Sequence, residues 1–157
     1  MRWFPVFLPV VALLSVTSCS RSRPPVELAG TASVSSADGD LEKLQGTWRI
    51  ESSTWNGVED PMTLKKVTIL FEGDKFIVVD IDGNRRQETI NLRPDQNPKA
   101  IDCTSKDGGQ PAPGIYTLEG DTFKWCSAGG ANKIRPTKFS SQAGSKQSLL
   151  VLRRSRS

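Results

Sequence analysis

From residue 46 onward, apolar and polar positions alternate in short runs separated by turn residues. That period of two marks half-buried strands. Trp48 and Ile50 share one face of 46–51, and Val67, Ile69 and Phe71 share one face of 67–72. Gly73 and Asp74 turn the chain into 75–81, and Asp82 and Gly83, a pair suited to positive φ, lead to 86–92. Further runs follow at 99–104, 114–118, 122–126, 136–140 and 149–152, with a Gly/Pro-rich loop at 107–114 and a hairpin turn at 119–121. Helical pattern is limited to a turn at 41–44, with Asp40 as its N-cap, and a short helix or loop at 58–66. About eight short strands joined by tight turns predict an all-β antiparallel fold. A meander this short removes its exposed edges by closing, so the expectation is a small up-and-down barrel over 41–154.

The N-terminus reads differently. Arg2 precedes an almost unbroken apolar run, WFPVFLPVVALLSV, over residues 3–16. It is short for a membrane span, which needs about 20 residues, and Pro5 and Pro9 interrupt it, so it suits a signal-peptide core. Val16, Thr17, Ser18 and Cys19 follow, a sequence that resembles the bacterial lipobox. The resemblance implies cleavage after residue 18 and a lipid-modified Cys19 that holds the protein to a membrane of the cell envelope. Ser20 stands where an aspartate would resemble an inner-membrane retention signal, which favours the outer membrane. Residues 19–40 are rich in Ser, Ala, Gly and Pro without period, as in a flexible tether. Residues 155–157 form a short tail.

Composition removes several function classes. The 157 residues contain no histidine, which excludes Ser-His-Asp and Cys-His catalysis and His-ligated metals. The formal charge of +4 is misleading, because residues 41–152 carry 15 Lys or Arg against 14 Asp or Glu. The excess sits mainly in Arg153, Arg154 and Arg156. No basic stripe of the kind that binds nucleic acid is visible in the body.

Gly46-Thr47-Trp48 at the start of the first strand resembles the G-x-W signature of lipocalins and their calycin relatives. The segments LQGTW, FEGDKF, NPKAID, GIYTLEGDTFKWC, RPTKFSS and LLVLRR occur in the order found in a family of lipocalin-like domains abundant in planctomycete bacteria. The resemblance spans residues 41–154 and departs from the family pattern at Cys103. It implies a barrel closed at one end by Trp48, with Arg153 or Arg154 laid across the indole. It carries no activity, cofactor or protein partner with it.

Candidate chemistry is sparse. Residues 79–84 echo a calcium loop, but the glycine arrives too early, and Asp80, Asp82 and Glu88 fit a plain hairpin better than an acid–base pair. No nucleophile and base are paired, so the expectation is a binding or structural protein rather than an enzyme, without metal or cofactor. Phe71, Tyr116, Phe123 and Trp125, with Trp48 and Phe76, either line a pocket for a small apolar or amphiphilic ligand or fill the barrel. Cys103 and Cys126 are candidates for a disulfide in an oxidising compartment. Against that, a meander places them two strands apart, and alternation sets Cys126 opposite Phe123 and Trp125.

Overall fold

The computed structural model describes residues 36–60, 67–129 and 134–156. The expected signal segment, Cys19 and the tether up to residue 35 lie outside the described residues, as do 61–66 of the expected helix or loop. A helix α1 (Ser36–Leu44) precedes nine strands: β1 (Gly46–Trp55), β2 (Val58–Glu59), β3 (Thr68–Glu72), β4 (Lys75–Val79), β5 (Arg85–Arg93), β6 (Ala100–Ser105), β7 (Ala112–Glu119), β8 (Thr122–Ala128) and β9 (Gln147–Arg154). Every pairing is antiparallel. Strands β3 to β9 pair in sequence order, β1 joins β3, and β9 returns to β1, which closes an eight-stranded barrel. β2 stands outside it, paired with the end of β1 through a turn at Asn56 and Gly57.

Alternation decides what enters the barrel. Trp48, Ile69, Phe71, Ile90, Ile101, Phe123 and Leu152 point inward and are buried together. In β1 the register slips between Ile50 and Ser52. One extra residue there reverses the parity, so Ser53 faces the lumen where continued alternation would have placed Ser52. The aromatic rings interlock edge to face: Trp48 and Phe71 lie 6.3 Å apart, Phe71 and Phe123 5.7 Å, and Phe76 and Trp125 5.3 Å.

Three expectations change. The helix begins at Ser36, so the last five residues of the expected tether are helical, and Asp40 is a buried helix-interior residue instead of an N-cap. Its carboxylate accepts from Lys99 Nζ at 2.7 Å and Tyr116 Oη at 2.8 Å, which ties α1 to the barrel. The strand expected at 136–140 is absent; those residues belong to a strap outside β6–β8. Arg135 fixes the strap by donating to Ile101 O (3.1 Å), Gly114 O (2.5 Å) and Asp102 Oδ1 (2.6 Å). Finally, 58–59 is strand β2.

The cysteines do not bond to each other. Cys103 faces the lumen, whereas Cys126 faces outward and donates to Ser140 O of the strap at 3.4 Å. They sit on β6 and β8 with β7 between them. Opposite faces and two strand spacings, about 9–10 Å, put the bridge out of reach. Burial pushes the Cys126 thiol up, against a smaller opposing pull from a hydrogen bond with the Ser140 backbone.

Candidate functional site: the mouth of the barrel

The two ends of the barrel are built differently, and the closed one limits where a ligand fits. Trp48 is fully buried, and its Nε1–H donates to Leu44 O of α1 at 2.8 Å. In the register, Trp48 stands directly opposite Arg154. The Arg154 guanidinium lies 4.3 Å from the indole centroid and donates to Gln45 O at 2.7 Å and to Lys43 O. Cation–π contact of this kind contributes about 0.5–2 kcal/mol, and the carbonyls it takes are those left open at a helix C-terminus. Gly46 ends the helix at φ 103°, a conformation that a side chain resists. Gln45 joins the plug to the β3–β4 turn, accepting from Gly73 N at 2.7 Å and donating to Gly73 O at 3.0 Å. Of the two arginines expected at the plug, Arg154 is the one that covers Trp48. Arg153 points outward, donating to Thr122 Oγ1 at 2.9 Å.

Asp40 completes the seal. Burial by itself pushes its carboxyl up, but the Lys99 ammonium and the Tyr116 hydroxyl outweigh that, and the group stays below its ordinary range. The same burial and the carboxylate beside it push the Tyr116 hydroxyl well above its usual range. Tyr116, Phe71 and Phe123 are therefore packed interior, each no more than 1% exposed, and none of them lines the cup at the other end.

At the opposite end a cup of about 210 Å³ remains. Phe76 and Trp125 form its floor, Ile50, Ile69 and Leu150 its walls, and Ser53, Ser127, Ser148, Val67, Val78 and Arg86 its rim. The volume is below the roughly 300 Å³ at which drug-sized pockets begin. It equals about seven waters at about 30 Å³ each. A molecule that fits has an apolar body against the floor and a polar end among the serines and Arg86. Beside the cup, Glu88 also points inward; its Oε2 accepts from the Cys103 thiol at 2.7 Å, and its Oε1 lies 3.7 Å from Arg86 Nε.

Of the expected lining residues, Phe76 reaches the cup, and so does Trp125. Its Nε1–H is buried without an acceptor, an arrangement that costs about 1–3 kcal/mol. The indole lies against Gly114, where a Cβ would stand 2.6 Å from Nε1 and 2.7 Å from Cys126 O. Only glycine lets the ring settle against β7 and leave the cup open.

Sequence reasoning missed Arg86, Ser127 and Ser148, and it read Glu88 as part of a plain hairpin rather than of the lumen. Their signal was present: continuing the period of two backward from Ile90 reaches Glu88 and Arg86, and forward from Trp125 reaches Ser127. Polar residues at inward positions near strand ends mark a mouth. Of the carboxylates expected to be structural, Asp80 behaves so. Asp80 Oδ1 accepts from Asp82 N and Asn84 N, both at 2.9 Å, and Oδ2 from Asn84 Nδ2 at 2.9 Å. Those bonds, the Asn84 side chain's first, hold the Asp80 carboxyl below its ordinary range. A wider groove of about 550 Å³ lies outside the closed end between residues 94–99 and β7, but its cation, Lys99, is already bound to Asp40.

Compared with protein-family models, with curated proteins and with solved structures, the chain gives no match.

Proposed function

We propose that this chain is a lipid-anchored protein of the cell envelope, outer membrane favoured, whose barrel mouth holds a small amphiphilic molecule. The anchor rests on the apolar run at 3–16 and on the lipobox-like residues ending at Cys19. The binding reading rests above all on the cup, with its aromatic floor and polar rim. The G-x-W start, the Arg154 cover over Trp48 and the eight-stranded closure support kinship with lipocalin-like domains. The reading is binding rather than catalysis, because the chain has no histidine to serve as general base for a serine or thiol at the mouth.

Native mass spectrometry of the protein after exposure to envelope extract tests the ligand. Reproducible small-mass adducts that disappear when the cup is filled by substitution are expected. Their absence under gentle conditions overturns the carrier reading. A second reading, a structural envelope protein that grips a partner, is favoured by the exposed apolar side chains Trp55, Val58 and Ile81 near the same end. Under that reading, adducts are absent and crosslinks from the β1–β2 arm are found. For the anchor, Cys19→Ala abolishes metabolic lipid labelling; unchanged membrane partitioning of that variant overturns it.

A further inference from the structure

We propose that the outer face at the closed end of the barrel is a binding site for a phosphate group, held by Arg49, Arg153 and Arg156. The site is separate from the mouth and does not depend on it.

The register of β1 on β9 sets Arg49 directly opposite Arg153. Like charges facing each other across strands weaken a sheet unless something lies between them. Arg156 follows β9 onto the same surface, and Arg49, Arg153, Arg154, Arg156 and Asp121 line one cleft of about 330 Å³. An adjoining cleft of about 440 Å³, lined by Gly46, Thr47, Arg154, Ser155 and Arg156, has no carboxylate.

The nearby acids do not balance these cations. Asp121 accepts from Arg156 at 2.8 Å and lies 3.4 Å from Arg154, whose guanidinium also covers Trp48. Glu51 lies 3.8 Å from Arg153. Arg49 makes no ion pair among the described residues. Four guanidiniums thus face two carboxylates, on a domain whose charges otherwise nearly cancel. Guanidinium forks match phosphate oxygens in geometry and charge. A phosphate bridging Arg49 and Arg153 would turn their repulsion into two charge-assisted contacts. Inorganic phosphate and a lipid phosphate headgroup share this chemistry.

The test is thermal unfolding of the full chain in uncharged detergent micelles at constant ionic strength. Inorganic phosphate is titrated in one arm, and micelles are doped with phosphatidylglycerol in the other. Wild type, Arg49→Gln and Arg153→Gln are run together. Phosphate, or the anionic lipid, is expected to raise the wild-type Tm by about 2–4 °C more than that of either variant. Without anion, Arg49→Gln is expected to melt no lower than wild type, since it removes one of two facing charges. A response to inorganic phosphate identifies a free-phosphate site, and a response to doped micelles alone identifies a lipid headgroup; both support the proposal. Equal responses of all three proteins are a general salt effect and overturn it. So does an Arg49→Gln variant that melts lower than wild type yet keeps the full response.

Discussion

The closed end and the mouth are made from the same strands, yet one is sealed and the other hollow. At the closed end the polar groups of the plug are paired: Trp48 Nε1 bonds Leu44 O, Arg154 takes the helix carbonyls, and Asp40 takes Lys99 and Tyr116. Large rings fill the space beneath. At the mouth, inward positions carry serines, Arg86 and Glu88, and the Trp125 indole N–H goes without an acceptor. Interdigitated packing and satisfied hydrogen bonds stabilise a fold, whereas an unfilled cup and an unpaired donor reduce stability. The difference indicates that stability is concentrated at the plug and that the mouth can vary at low cost.

Trp48→Ala should test this most severely. It removes a fully buried indole, its hydrogen bond and the surface under Arg154, and should lower stability by about 3–5 kcal/mol, read by denaturant unfolding. A loss below 1 kcal/mol would mean the plug is not the stable end.

Asp40→Asn comes next, with a loss of about 2 kcal/mol at neutral pH, as expected for hydrogen bonds to a charged group. The carboxyl lies lower in the folded protein than its ordinary value of 3.8. Its contribution is therefore complete above that value and disappears as pH falls through the folded-state value. Melting curves from pH 7 to pH 2 should converge for wild type and variant at the acid end. Asp80 and Asp121, also held low, leave a residual acid slope in both.

Gly114→Ala sharpens the contrast from the other side. The new Cβ displaces Trp125 toward the cup, at about 1–3 kcal/mol for overpacking, and ligand adducts should vanish. Ser127→Leu fills the cup from its rim. Its stability should stay within about 1 kcal/mol of wild type while adducts are lost. The smallest effect concerns the thiols: counts on the unfolded protein should be equal with and without reductant, because Cys103 and Cys126 lie on opposite faces of the sheet.

Several of these features were legible along the chain. Alternation in 67–72 and 122–126 located strands to within two residues, and the Gly46-Thr47-Trp48 start pointed to the plug. Extending the alternation from Leu150 and Leu152 would have selected Arg154 over Arg153. The Asn56-Gly57 pair, among the strongest short hairpin signals, marked the β1–β2 turn that a helix or loop at 58–66 overlooked. Other features had no local signal. Asp40 looks like a cap because aspartates often are caps; its burial depends on Lys99 and Tyr116, which are 59 and 76 residues away. Within the strap at 134–146, residues 136–140 read as a short strand, but Arg135 anchors the segment across β6 and β7 instead.

The sequence by itself located the eight strands of the barrel and determined the antiparallel class and the inward aromatic set. Those follow from side-chain alternation and turn chemistry, which act over a few residues. Only the tertiary structure decided which end was filled and where a cup remained. Those outcomes depend on the register at closure and on a one-residue slip in β1, and a chain read in one dimension has no means of setting one strand's ends against another's.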